Sequence, residues 1–377
     1  MSGHLTIALD AMGGDHGPAS VIPGAALALT HDPHLRFMIF GDEAKILPFL
    51  TSRPQLKAAA QIIHTDQFIS AHEKPVAALR NGRQSSMRLA INAVADKQAD
   101  CVISGGNTGA LMAIAKTVLK CLPGIDRPAI ASVLPTMDKD LVMLDLGANL
   151  ECDAGMLVQF AILGSVYARA VRGLDKPKIG LLNVGSEDMK GHDELREAAK
   201  ILQQITFPGE YAGFIEGNDI PMGSVDVVVT DGFTGNVALK TAEGVSKWFT
   251  HMLRSALKST PKAMLGGLLA KSALEKLKTH IDPRLYNGGM FLGLDGVCVK
   301  SHGSMDEVGF ANAIRYASEL AARNFNRRVA VEIAEVLKQE SQIHDAELRA
   351  DGTKDDASGA VQAGAQKDYA CLKKEVG

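Results

Sequence analysis

Short apolar runs recur along the chain, each ending in Gly or Asp and passing into loop-forming residues. They open "LTIALDAMGGDHGP" (Leu5–Pro18), "RFMIFGD" (Arg36–Asp42), "DCVISGGNTGA" (Asp100–Ala110), "LVMLDLGAN" (Leu141–Asn149), "KIGLLNVGSE" (Lys178–Glu187) and "VDVVVTDGFTGN" (Val225–Asn236). A run of about four to eight apolar residues without alternation is what a strand covered on both faces requires. Helical spacing lies between the runs. Over Ser85–Ala99 it puts Met87, Ile91 and Val94 or Ala95 on one face, and Leu111–Leu122 reads the same way. The repetition predicts an α/β fold over residues 1–337, with a doubly wound, mainly parallel sheet in an α/β/α sandwich. Such sheets bind ligands at the carboxyl ends of their strands. The glycine-rich segments fall there and are expected to meet in one cleft.

Two segments depart from this pattern. Ser246–His280 carries Trp248, Phe249, Met252, Leu253, Ala256 and Leu257 as a ladder along one helical face. Its Lys247, Arg254, Lys258, Lys262, Lys271, Lys276 and Lys278 are set against a single acid, Glu275, and Gly266-Gly267 offers a bend. This predicts a protruding helical hairpin, apolar on one side and basic on the other. A dimerisation arm and a contact for an anionic membrane or acidic protein both fit it. Residues 338–377 are rich in Ala, Gly, Asp and Lys and lack apolar periodicity, so a disordered tail is expected.

Composition narrows the function. Aromatics at 5% and 37 glycines suit an α/β enzyme with many strand-to-helix turns. A net charge of −3 argues against nucleic acid as the main partner. Five cysteines without a C-x-x-C point to free thiols in a reducing compartment. The N-terminus lacks the pattern of a signal peptide, and no run approaches the ~20 apolar residues of a membrane span. Cytoplasmic localisation is therefore expected.

Three loops could hold an anion. Gly13 and Gly14, with Asp10 and Asp15 on either side, follow the first run. Gly105, Asn107, Thr108 and Gly109 stand where a strand passes into a helix, whose N-terminal amides favour negative charge. Asp231 and Asn236 flank the third loop. Asn183 sits at a strand end, and Lys190 lies in the Gly-flanked loop beyond it. Lys190 could neutralise phosphate or an oxyanion, or be an ordinary solvated charge. "LDGVCVKSHGSMD" (Leu294–Asp306) groups Lys300 with His302, a candidate acid or base or a structural histidine. Cys101, inside a predicted strand, is a poor nucleophile. Asp10, Asp15, Asp145 and Asp231 could hold Mg²⁺, but capping and loop orientation explain them better. No metal site or cofactor is expected.

In order, "ALDAMGGDHGP", "SGGNTGAL", "RPAIASVLPT", "LDLGAN", "LLNVGSEDMKG", "DVVVTDGFTGNVALKTAEG" and "GLDGVCVKSHG" resemble the PlsX-type phosphate acyltransferases from Leu5 to Leu337. The resemblance implies a homodimer with a fold similar to isopropylmalate dehydrogenase and phosphotransacetylase. It implies transfer of a fatty acyl group from acyl carrier protein to inorganic phosphate. The acyl phosphate would then serve a membrane glycerol-3-phosphate acyltransferase in phospholipid synthesis, with this protein peripherally at the membrane. On this reading phosphate attacks the thioester directly, so donors and positive charge matter more than a covalent nucleophile. Lys190 would face phosphate or the oxyanion. Asn107, Thr108 and Asn236 would hydrogen-bond the ligand, Asp10 and Asp231 would orient loops, and His302 would protonate the leaving thiolate. Three alternatives compete: a phosphotransacetylase using coenzyme A thioesters, a dehydrogenase of the isopropylmalate type, and a non-catalytic membrane-surface scaffold.

Overall fold

The computed structural model describes residues 4–280, 282, 284–323, 325–326 and 329–336. The expected tail at 338–377 lies outside the described residues. The chain opens with β1 (Leu5–Asp10), α1 (Pro18–His31), β2 (Leu35–Gly41), α2 (Glu43–Thr51), α3 (Pro54–Ala59) and β3 (Ala60–His64). Then come α4 (Pro75–Asn81), α5 (Ser86–Ala95), β4 (Cys101–Ser104), α6 (Thr108–Leu119), β5 (Ala129–Leu134) and β6 (Leu141–Leu144). They are followed by α7 (Ala154–Arg172), β7 (Lys178–Leu182), α8 (Asp193–Gln204), β8 (Glu210–Ile215), α9 (Asp219–Met222) and β9 (Val227–Val229). The last group is α10 (Gly232–Lys258), α11 (Pro261–Leu269), α12 (Lys271–His280), β10 (Gly289–Leu292), β11 (Val297–Lys300) and α13 (Glu307–Ala322).

All eleven strands form one sheet, in the order β3-β2-β1-β4-β11-β10-β5-β6-β9-β7-β8. The apolar runs do pack on both faces. Ile7 and Leu9 of β1, with Val227 and Val229 of β9, join a core covered by α1, α7, α8 and α13. Ala8 and Val228 point the other way, into a core built with α5, α6 and residues Ala238 and Leu239 of α10. Residues 154–172 form a helix long and apolar enough to cross a membrane by length and composition, contrary to the sequence expectation, but 78% of that window is buried inside the protein. It is a core helix.

The sheet is not parallel throughout. β3, β2, β1, β4 and β11 run together, as do β6, β9, β7 and β8. Between them β10 pairs antiparallel with both β11 and β5, and β5 antiparallel with β6. The two blocks therefore point in opposite directions, and their carboxyl ends do not form the single edge expected. The bend expected at Gly266-Gly267 is also elsewhere. Those glycines lie inside α11, and the chain turns at Ser259–Thr260, where the Thr260 hydroxyl accepts the Ala263 N–H and caps α11. α10 starts directly after β9, at Gly232, well before the start expected for the arm at Ser246.

That start is tightly constrained. Asp231 caps it by accepting the Thr234 N–H at 2.8 Å and the Thr234 hydroxyl at 2.7 Å. Gly232 N–H donates to the Asn149 carbonyl at 2.7 Å. At Gly235 the helix lies so close to the loop after β6 that an added Cβ would overlap the Asp145 carbonyl oxygen. Gly244, about two and a half turns on, faces open space. Gly235→Ala is expected to lower stability by about 1–3 kcal/mol through overpacking. Gly244→Ala should raise it by about 0.5–1 kcal/mol by removing a helical glycine. Urea unfolding of both variants measures the contrast.

Candidate active site

The loops after β1, β4 and β11 meet backbone to backbone. A Cβ at Gly13 would come 2.6 Å from the Asp10 carboxylate and 2.8 Å from the Gly106 nitrogen, so only glycine fits there. Asp15 N–H donates to the Gly303 carbonyl at 2.8 Å. Asp10 is fully buried beneath this junction and accepts the hydroxyls of Ser86 and Ser104, both at 2.6 Å. The Ser104 hydroxyl also accepts the Gly106 N–H. Burial pushes the Asp10 carboxyl above its ordinary value against those bonds. Sequence reasoning missed both serines. Ser104 ends an apolar run and Ser86 begins a helix, so neither stands out as chemistry.

Lys300 leaves β11 into the same junction, donating to the carbonyls of Gly105 and Ser301. Burial first, then the charge of Lys240, lowers its ammonium to about 8, while Asp15 and Asp10 pull the other way. His302 meets Lys240 of α10, with Nε2 3.2 Å from the lysine Nζ. Burial and Lys240 together lower the imidazole's proton affinity. That disfavours the imidazolium needed for protonating a thiolate. Lys240 itself pairs with Glu243. Neither was singled out from the sequence, because nothing local marks a lysine eight residues into a helix.

The remaining candidates occupy the other block. Register pairs Leu181 with Val229, which brings Asn183 and Asp231 to neighbouring strand ends. Asn183 is buried, donates to the Lys190 carbonyl at 3.0 Å and accepts the Val184 N–H, so it shapes its own loop. Lys190 is on that loop, half-exposed, 3.0 Å from Glu187. Asn236 is exposed on α10 and packs over Gly147. It lies one turn before Lys240 on the same helix face, because residues four apart share a face. α10 thus links the two sets of loops that the strand reversal separates.

Several loop residues are spent on structure. Asn107 caps α6 through the Ala110 N–H and donates to the carbonyls of Ala71 and Glu73. Thr108 and Gly109 form the first turn of α6 behind that cap. Asp145 accepts from the N–H groups of Ile130, Gly147, Ala148 and Asn149 and from the Asn149 amide. Each aspartate at a strand end serves its own neighbourhood, and among the described residues no three His, Cys, Asp or Glu side chains gather around a common point.

Comparison with known proteins first defines the class. A phosphotransacetylase from Streptococcus pyogenes superposes with a TM-score of 0.56 over 85% of this chain and 94% of its own. At 16% identity this likeness speaks for the fold, a phosphotransacetylase-like α/β/α sandwich. The chain belongs to the fatty acid synthesis protein family, whose model matches residues 5–328. A protein named phosphate acyltransferase from Rhodospirillum centenum is 56% identical over 334 residues, 89% of this chain and 94% of that protein. One of the same name from Rhodospirillum rubrum is 53% identical over 336 residues, covering 89% and 96%.

The junction generates a titration test. Lys300 should lose its proton near pH 8. Lys240→Met removes a neighbouring cation and should move the Lys300 midpoint up, whereas Asp15→Asn should move it down. Direct NMR observation of the lysine side chains reads both shifts.

Proposed function

We infer that this protein is an acyltransferase that moves an acyl group from a thioester to inorganic phosphate. The observation that carries this is the identity of over half the residues with proteins named phosphate acyltransferase, across about nine-tenths of both chains. The site is compatible with it. Among the described residues the cysteines are ill suited to covalent catalysis. Burial raises the thiols of Cys101, Cys121, Cys152 and Cys298, that of Cys298 to about 12. Direct attack needs no such nucleophile. A phosphate oxygen bonds to the thioester carbon, the tetrahedral oxyanion collapses, the C–S bond breaks, and the thiolate takes a proton from water. Lysines and an asparagine around a backbone junction supply positive charge and donors for phosphate and oxyanion.

The donor in this reading is acyl carrier protein, and the acyl phosphate passes to a membrane glycerol-3-phosphate acyltransferase for phospholipid synthesis. The family resemblance supports this, as does the arm of α10 and α11. That arm exposes Trp248, Phe249, Met252, Met264, Leu265, Leu268 and Leu269, with Trp248 63% accessible, beside its basic residues. Such a surface suits a cytoplasmic homodimer resting on an anionic membrane and steering an acidic carrier.

Purified protein mixed with palmitoyl-acyl carrier protein should form a hydroxylamine-trappable acyl phosphate and free carrier thiol only when phosphate is present. Turnover of palmitoyl-coenzyme A alone would instead assign a coenzyme A-dependent relative. No reaction with either would leave the scaffold reading. Within the active enzyme, Lys190→Ala and Asn236→Ala should each lower kcat about 100- to 1,000-fold, as loss of one oxyanion donor does. Near-normal turnover would take that residue out of the chemistry.

A further inference from the structure

Lys240 and Glu243 lie within the segment "DVVVTDGFTGNVALKTAEG" but were not among the candidate site residues, yet they occupy the point where α10 meets the junction. The Lys240 ammonium lies 3.0 Å from both Glu243 carboxylate oxygens and 3.2 Å from His302 Nε2. An ammonium only donates, so in this contact Nε2 is the acceptor. Nδ1 faces Ser304, 3.0 Å from its hydroxyl and 3.3 Å from its backbone N–H, which points at it. Around this centre the charged groups in electrostatic reach are Lys247 on the same helix, Lys300 on β11, and Asp15 and Asp10 after and within β1. After burial, the charge of Lys240 also lowers the proton affinity of Lys300, and a partly exposed lysine and glutamate three residues apart add little to fold stability. The arrangement is more favourable with an anion among its cations than without one.

We propose that Lys240 is the residue that takes hold of inorganic phosphate, and that Glu243 is its stand-in counter-ion, displaced when phosphate enters. The lysine swings from one acceptor to another with the same hydrogen-bonding capacity, while His302 and Lys300 bound the pocket. This inference rests on the acyl-transfer reading and assigns the phosphate end of that site. It makes Glu243 a positioning residue that competes with the substrate, so the two side chains act with opposite sign on phosphate affinity.

The test is steady-state acyl phosphate formation with palmitoyl-acyl carrier protein, together with phosphate binding measured by ³¹P NMR line broadening without any thioester. Lys240→Ala should raise the KM for phosphate about 10- to 100-fold, the loss expected for a charge-assisted pair, and leave the KM for the carrier within about twofold. Lys240→Arg should restore most of the phosphate affinity. Glu243→Gln should lower the KM for phosphate several-fold. Unchanged phosphate affinity in Lys240→Ala, equal loss for both substrates, or weaker phosphate binding in Glu243→Gln would each overturn the proposal. If the wild-type protein makes no acyl phosphate, the acyl-transfer reading fails. The NMR comparison of wild type with Lys240→Ala then still decides whether this is an anion site.

Discussion

The first two turns of α10 have to lie against the backbone of the loop after β6, and the site depends on that closeness. Gly232 and Gly235 leave no side chain in the way, and Gly232 N–H bonds the Asn149 carbonyl. This contact fixes the direction of a helix 27 residues long. At about 1.5 Å per residue, Lys240 stands roughly 13 Å from the Asp231 cap, far enough along to reach His302. A sheet whose two blocks run in opposite directions would otherwise keep their loops apart. The helix does the joining, and its angle is set at one pair of glycines.

Two buried carboxylates hold the loops that the helix joins. Asp145 gathers four backbone N–H groups and an amide at the end of β6, and Asp10 takes two serine hydroxyls at the end of β1. Burial alone would make either group costly, and desolvation raises the proton affinity of both. The hydrogen bonds offset that cost only while every donor stays in place. Each carboxylate therefore penalises local loosening, which keeps loops that carry lysines in fixed positions. Loss of one partner would leave the others around an unsatisfied charge.

Much of this was legible in the sequence. Apolar runs such as "IAL" (Ile7–Leu9) and "VVV" (Val227–Val229) mark strands buried on both faces, and they are. Asp231 before Gly232 reads as a cap and acts as one. What failed to show was long-range. Strand direction in the middle of the sheet depends on β10, a four-residue strand whose short run carries no sign of orientation. The expectation of a single carboxyl edge followed from assuming that all strands point alike. Asn107 and Asn183 have the right chemistry for ligands, but their hydrogen bonds are already used within the fold, a fact no local pattern records. Lys240, Ser86 and Ser104 were missed for the converse reason: their importance comes from residues about 60 to 90 positions away, and Glu243 matters only through its pairing with Lys240.

The glycine-rich loops invite comparison with phosphate cradles, in which free backbone amides face the ligand. Here the glycines do something else first. Gly13 makes room for Asp10 and Gly106, the Gly106 N–H goes to Ser104, and the Asp15 N–H goes to Gly303. These amides are consumed in packing three loops against one another. Recognition of an anion at this junction then falls to side chains that reach it from outside, and the cations there come from two directions, Lys300 from the sheet and Lys240 from the helix. Lys300 is largely desolvated and easily neutralised, whereas Lys240 keeps access to water and a carboxylate partner. A doubly charged ligand is better served by the second, because a flexible, solvated lysine can follow it in. The tight loops supply a fixed floor, and the helix supplies the movable charge above it.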